Sequence, residues 1–194
     1  ENDYNLSVTE INTTGYKILS SGNALPAAEL IGKNLPAEVI ENDSFTQFDP
    51  TTDGLDYWES LESMLVQVNN AQVVEPRNTY GEIVVIPEDV SANNLISIEG
   101  ALVATEEDQN PERVFVELPK SFKKDINLGA QFTSPIIGVL GYDFGNYRIL
   151  EQNTPEFIKL DLQSPKLDPI VPSGLRVATY NLENWSRFDE DRTQ

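Results

Sequence analysis

Four groups of residues have types and spacings with chemical meaning. Asn181 lies in the run LRVATYNLEN at residues 175–184, which reads as a short strand because Val, Thr and Tyr follow the turn signal Pro172-Ser173-Gly174. An amide at the end of such a strand offers a donor and an acceptor, so it can hold a ligand oxygen or a carboxylate that binds metal. Asn is equally an ordinary residue for ending a strand in a turn. Asp49, Asp53 and Asp56 fall within the stretch FDPTTDGLD at residues 48–56. Three carboxylates so close can supply oxygen ligands to calcium, although their spacing does not match the helix-loop-helix calcium signature. The competing reading is a turn feeding a helix, with Asp56 as N-cap and Glu59 as its capping-box partner.

Tyr142, Phe144 and Tyr147 form an aromatic group about the sequence Asp143-Phe144-Gly145-Asn146. Such a group can stack nucleic-acid bases, or it can stabilise a hairpin by cross-strand packing. Arg148 is the only basic residue interleaved with it, which favours the packing role. Lys120, Lys123 and Lys124 make the one local basic cluster. A phosphate-binding surface needs several such charges in a row, so a solvated loop accounts for them as well.

Charge limits the partners further. The chain has 13 Lys and Arg against 32 Asp and Glu, a formal net charge of −19, and between Asn34 and Glu112 the only basic residue is Arg77. Such a surface repels phosphate backbones and lacks the cations that would neutralise them. With no His there is no imidazole for general acid or base catalysis, and with no Cys there is neither a disulfide framework nor a thiolate metal site. No apolar run approaches the roughly 20 residues of a membrane span. The opening ENDYNLSV has neither a basic nor an apolar leader region, so any signal peptide is expected to have been removed or to lie upstream.

The elements that would position these groups are mostly strands. Alternation at residues 4–11 marks one strand, with a second apolar piece at 16–19, while 26–31 and 35–40, each introduced by a proline, read as extended linker touching the core. A short helix over 57–62 would lay Trp58 and Leu61 on that core. Met64, Val66 and Val68 share a strand face that 71–74 extends past a bulge at Asn69-Asn70. The run 83–86 is apolar throughout, as for a strand covered on both sides. Residues 95–103 would turn Ile96, Ile98 and Leu102 inward with a kink at Gly100, and Val114, Val116 and Leu118 alternate in the next strand. A hairpin over 136–150 follows, its turn assigned to Gly145-Asn146. Pro155, Pro165, Pro169 and Pro172 make 154–174 a semi-rigid linker. This pattern predicts an all-β domain, a small Greek-key barrel with one short helix and extended linkers, with a two-sheet sandwich as the alternative.

LRVATYNLEN resembles the opening strand of the catalytic domain of the endonuclease/exonuclease/phosphatase family. YWESLESMLVQVNN, TYGEIVV and GVLGYDFGNYRIL resemble the module that precedes that domain in large secreted bacterial nucleases. The resemblance implies an oligonucleotide/oligosaccharide-binding (OB) barrel over residues 48–153, preceded at 1–47 by the end of another module and linker. It places the first catalytic strand at 175–194, after the linker at 154–174. It further implies magnesium or manganese in the parent enzyme, with Asn181 beside the ion and the rest of the site on later strands. Glu183 alone would not replace that shell. The expected partner is a catalytic domain on the same polypeptide, with nucleic acid engaged only through the full-length enzyme, at the bacterial surface or outside the cell. The chain would then be a non-catalytic spacer, docking or substrate-guiding module, itself inactive, of a nuclease acting on DNA, RNA or other phosphoesters. The alternative is an independent carbohydrate- or surface-binding β-module whose acidic loops hold calcium.

Overall fold

The computed structural model describes residue 8 and residues 11–160 apart from 33, 37, 89, 91–94, 98, 123 and 153. The described residues belong to one compact unit, Glu1–Leu162; the run 175–184 with Asn181 and Glu183, and most of the proline-spaced stretch, lie outside them. Among the described residues strands dominate: β1 (Glu29–Ile31), β2 (Leu65–Val68), β3 (Gln72–Glu75), β4 (Glu82–Ile86), β5 (Val114–Glu117), β6 (Gln131–Phe132), β7 (Ile136–Asp143), β8 (Asn146–Glu151) and β9 (Phe157–Ile158), with one helix, α1 (Gly54–Ser60).

The strands make one sheet in the order β1-β2-β7-β8-β5-β4-β3-β6-β9. Its curvature follows from β2 and β3, which are two halves of one bent segment. Asn70, at φ 46°, breaks the ladder between them, because a left-handed residue cannot continue a strand. The β2 half pairs antiparallel with β7, and the β3 half pairs antiparallel with β4. Passing from β2 through β7, β8, β5 and β4 to β3 therefore returns to the same stretch of chain. The result is an OB-like barrel of five strands, counting the bent segment once, in which β5 and β8 form the parallel pair. A single sheet also disposes of the two-sheet sandwich.

Alternation decides what lies inside. Val66, Val68, Val73, Ile83, Val85, Val114, Val116, Ile136, Leu140 and Ile149 join one buried cluster, each favoured there by removal of its apolar surface from water, worth about 1.5–3 kcal/mol for a full burial. α1 adds Tyr57 and Trp58 to this core. Trp58 is 4% exposed and its Nε1 donates to the Pro111 carbonyl at 2.8 Å, so the large ring is buried with its one donor satisfied. On the opposite face of β3, β4 and β5, Val74, Val84 and Ile86 form a second cluster under Ile96, Leu102 and Phe115. This is why Val84 and Ile86 of β4 are buried although they face away from the barrel interior.

Several expectations change. Among the described residues of 95–103 there is no strand: Ile96 and Leu102 meet in an isolated bridge around a turn where Gly100 takes φ 90° and Ser97 Oγ accepts from Ala101 N at 3.2 Å. Their apolar side chains cover the outside of the barrel, not its interior, and Ile98 lies outside the described residues. The helix starts at Gly54 and ends at Ser60, earlier than the apolar pattern placed it. Two stretches assigned to linker carry strands, since Glu29–Ile31 pairs in parallel with β2 and Phe157–Ile158 pairs with β6. Neither the prolines nor the short apolar runs reveal a partner so distant in sequence. Of the strand expected at 4–11, Val8 and Ile11 are described, and both are exposed and unpaired in any ladder.

Candidate ligand-binding cleft

The β3–β4 loop and the β7–β8 turn rise on the same side of the sheet, over the outer face of β4 and β5. In the first, Asn78 organises the turn. Its Oδ1 accepts from Tyr80 N and Glu82 N, both at 3.0 Å, and its Nδ2 donates to Glu82 Oε2 at 2.8 Å. Gly81, at φ 97°, completes the turn, and the bend leaves Tyr80 87% exposed at its tip. In the second, Phe144 and Gly145 take φ 50° and 76°, the double positive-φ geometry of a two-residue hairpin whose twist matches the flanking strands. Asp143 therefore pairs with Asn146, and the turn is Phe144-Gly145 instead of Gly145-Asn146. Asp143 Oδ1 accepts from Phe144 N at 2.9 Å, and Asn146 Nδ2 donates to the Phe144 carbonyl at 2.9 Å.

Arg148 on β8 joins the two. Its Nη1 forms a buried ion pair with Glu82 Oε1, its Nη2 donates to the Asp143 carbonyl at 2.7 Å, and its guanidinium lies 5.9 Å from the centre of the Phe144 ring. Between the loops is a cleft of about 470 Å³ floored by Glu82, Phe115, Glu117 and Arg148 and walled by Asn78, Tyr80, Asp143, Phe144 and Asn146. A second cleft of about 310 Å³ continues past Phe115 and Asn146, which line both, toward Arg113, Asn110 and the start of α1. β4 and β5 are the second and third strands of the barrel. That face, with its two flanking loops, is where barrels of this kind take oligonucleotides or oligosaccharides.

The expected aromatic group does not assemble as one surface. Tyr142 and Tyr147 are directly opposed with ring centres 5.0 Å apart, but Tyr147 is buried. It stacks on Trp58 at 6.4 Å and donates its hydroxyl to Glu59 Oε2 at 2.6 Å. Burial, and then the hydrogen bond to Glu59, push its phenol well above the ordinary range. Phe144 alone of the three lines the first cleft, 66% exposed, and Tyr147 lines the second.

The aspartates serve the helix. Asp53, not Asp56, is the N-cap: it is 2% exposed, its Oδ1 accepts from Asp56 N and its Oδ2 from Asn42 N, both at 3.1 Å. Burial pushes its carboxyl up while those two N–H groups oppose the shift. Asp56 Oδ2 accepts from Asp49 N at 2.6 Å, so the N3 carboxylate reaches back past the cap instead of pairing with Glu59. Among the described residues no group of three or more His, Cys, Asp or Glu is placed to hold a metal ion. Of the basic cluster, Lys124 lies 5.8 Å from the Phe157 ring centre, and Lys123 is outside the described residues.

Tyr80, Phe115, Asn78 and Glu82 were not singled out by sequence reasoning. The available signal was Asn78-Thr79-Tyr80-Gly81, a turn sequence with an aromatic residue ahead of an apolar strand.

A family model described as Domain of unknown function (DUF8508) matches residues 18–160. No curated protein and no solved structure matches the chain.

Proposed function

The chain belongs to the DUF8508 domain family, and from that premise we propose that this member is a non-catalytic accessory module of a secreted, metal-dependent bacterial nuclease or related phosphoesterase. The observation that carries the reading is the run LRVATYNLEN at residues 175–184, which resembles a catalytic opening strand and follows the barrel on the same chain. A free-standing binding domain has no use for such a run.

The chemistry of the chain supports the same division of labour. It has no His for general acid or base work. Asn181 is an amide, and magnesium or manganese needs several hard oxygen ligands in near-octahedral array, which one amide and Glu183 do not provide. In this reading the barrel spaces, docks or guides, and the divalent ion, the remaining ligands and the general base belong to a catalytic domain on the same polypeptide.

The test compares the chain with a longer polypeptide extended beyond Gln194 into that domain. With magnesium or manganese the longer protein is expected to cleave DNA, RNA or a simple phosphodiester, and the chain alone to release no product. Hydrolysis by the chain alone, or a downstream sequence with no phosphoesterase activity, overturns the proposal.

A further inference from the structure

We propose that Asn110 and Glu112, in the turn that leads into β5, hold a calcium ion. The site belongs to the barrel module itself, and its test is independent of the catalytic domain proposed above.

The turn is dictated locally. Asn110-Pro111-Glu112-Arg113 closes with Arg113 N donating to the Asn110 carbonyl at 3.4 Å, an arrangement that Asn followed by proline favours because proline presets φ at the second position. Neighbouring segments pin it. Thr105 N donates to the Asp108 carbonyl and Gln109 N to the Glu38 carbonyl, both at 2.8 Å. Asn110 N donates to Asp108 Oδ1 at 3.0 Å, and Trp58 Nε1 reaches the Pro111 carbonyl between the two proposed ligands at 2.8 Å. Held in this way, Asn110 is 4% exposed and Glu112 is fully buried. A glutamate at such depth is rare without a partner.

Asn110 Oδ1, Glu112 Oε1 and Glu112 Oε2 are all buried, and none has a hydrogen-bond partner on another residue among those described. Three such acceptors in one turn call for a species that acceptors attract: a proton, a water or a cation. Charge selects among these. Asp108 and Glu38 act on Glu112 with like charge, while the opposing Arg113 is already paired with Glu75 at 3.5 Å. Water brings no net charge and a proton neutralises Glu112 alone, whereas a divalent cation offsets the carboxylate and its acidic neighbours together.

The donor set selects calcium among the cations. A carboxylate and an amide oxygen are hard ligands, and the chain has no His or Cys to favour a softer metal. Calcium does not need three converging carboxylates, which the described residues lack, because amide and backbone carbonyls and water complete its irregular shell. Magnesium demands a near-ideal octahedron and dehydrates reluctantly, so it suits the turn less well. Access is provided by the cleft of about 310 Å³ beside α1, which Gln109, Asn110, Pro111 and Arg113 help to line.

The experiment is a calcium titration of the chain at neutral pH and physiological salt, read by calorimetry and by amide-resolved NMR, with magnesium as the comparison. One calcium per chain is expected, with a Kd on the order of 10⁻⁴ M as in extracellular calcium modules, and with shifts centred on the amides of Gln109, Asn110, Glu112 and Arg113. Glu112→Gln keeps the shape and removes the charge, so in EDTA it should be folded and at least as stable as the parent. Its calcium affinity should nevertheless fall about tenfold or more, since ligand charge sets that affinity. Asn110→Gly removes the amide oxygen at a position whose φ of 55° glycine adopts freely, and it should weaken binding in the same direction. Asp49→Asn should bind calcium as the parent does, which separates this site from the aspartates around α1. The proposal is overturned by lack of saturable binding, by shifts confined to other acidic surfaces, or by magnesium binding as tightly as calcium. Parental affinity in either Glu112→Gln or Asn110→Gly overturns it too, as does loss of binding in Asp49→Asn. None of these outcomes bears on whether a longer polypeptide hydrolyses phosphoesters.

Discussion

Arg148 and Glu82 stand 66 residues apart in sequence and form a buried ion pair at the floor of the cleft, each side chain only 10% exposed. Removing one partner of such a pair leaves a charge without compensation, at a cost of about 3–5 kcal/mol, whereas replacing both with apolar groups of similar volume is often close to neutral. Urea unfolding should therefore show Glu82→Ala strongly destabilised, with Glu82→Leu/Arg148→Met recovering most of the loss. Equal destabilisation in the single and double variants would mean that the pair does not act as a unit.

Gly138 on β7 is the second place where the fold depends on one residue. A Cβ there would collide with the Leu150 carbonyl oxygen and the Ile149 side chain on β8. Backbone is the obstacle, so the strands must separate locally, and Gly138→Ala should cost about 1–3 kcal/mol. Gly141 on the same strand meets only the Leu150 Cδ1 at 3.9 Å, an ordinary contact. Gly141→Ala is the matched control and should change the urea midpoint little.

Two buried acids make stability depend on pH. Glu112 is 0% exposed and Glu151 8%, and neither carboxylate has a hydrogen-bond partner on another residue among those described. Burial raises both from an ordinary 4.5 to about 7, with Asp108 and Glu38 adding to the rise at Glu112 and its own backbone N–H and Arg113 opposing it. Since the folded value lies above the unfolded one, the folded state binds more protons between pH 4.5 and 7, and stability falls as pH rises through that window. At one pKa unit per 1.36 kcal/mol the loss is on the order of 3 kcal/mol for each group. Glu112→Gln and Glu151→Gln should each flatten the fall measured by urea unfolding between pH 5 and about 8. An unchanged slope in both variants would place the titrating groups elsewhere.

Asp53 caps α1 and ties it to the preceding loop through Asn42 N. Loss of an N-cap costs about 0.5–2 kcal/mol, so Asp53→Ala should lower the thermal midpoint while Asp49→Asn has a smaller effect. A calcium titration that stabilises the parent but not Asp49→Asn would instead assign this turn to the metal.

The parts of the fold legible in the sequence are those with a local period. Val66 and Val68 alternate on β2, Ile83–Ile86 is apolar throughout β4, and the paired runs around Phe144-Gly145 mark the hairpin. The bend at Asn69-Asn70 was legible too, because polar residues interrupt an otherwise apolar strand. β1, β6 and β9 were not, since strands of two or three residues carry no period and exist through distant partners. The cleft escaped for the same reason. Tyr80 and Phe144 lie in loops far apart in sequence, and the parallel pairing of β5 with β8 and the Glu82–Arg148 contact bring those loops to one face. Asp53 displaced Asp56 as the cap because three aspartates in succession offer a choice that spacing alone does not decide.

Asn181 bears most directly on the accessory-module proposal. In the polypeptide extended through the catalytic domain, Asn181→Ala should lower turnover of a magnesium- or manganese-dependent phosphodiester cleavage by about two orders of magnitude or more, the scale on which loss of a polar group at a reacting centre acts. The thermal midpoint of the barrel should not change. Turnover equal to that of the parent would reduce Asn181 to a residue that ends a strand, and would remove the link between this chain and a phosphoesterase.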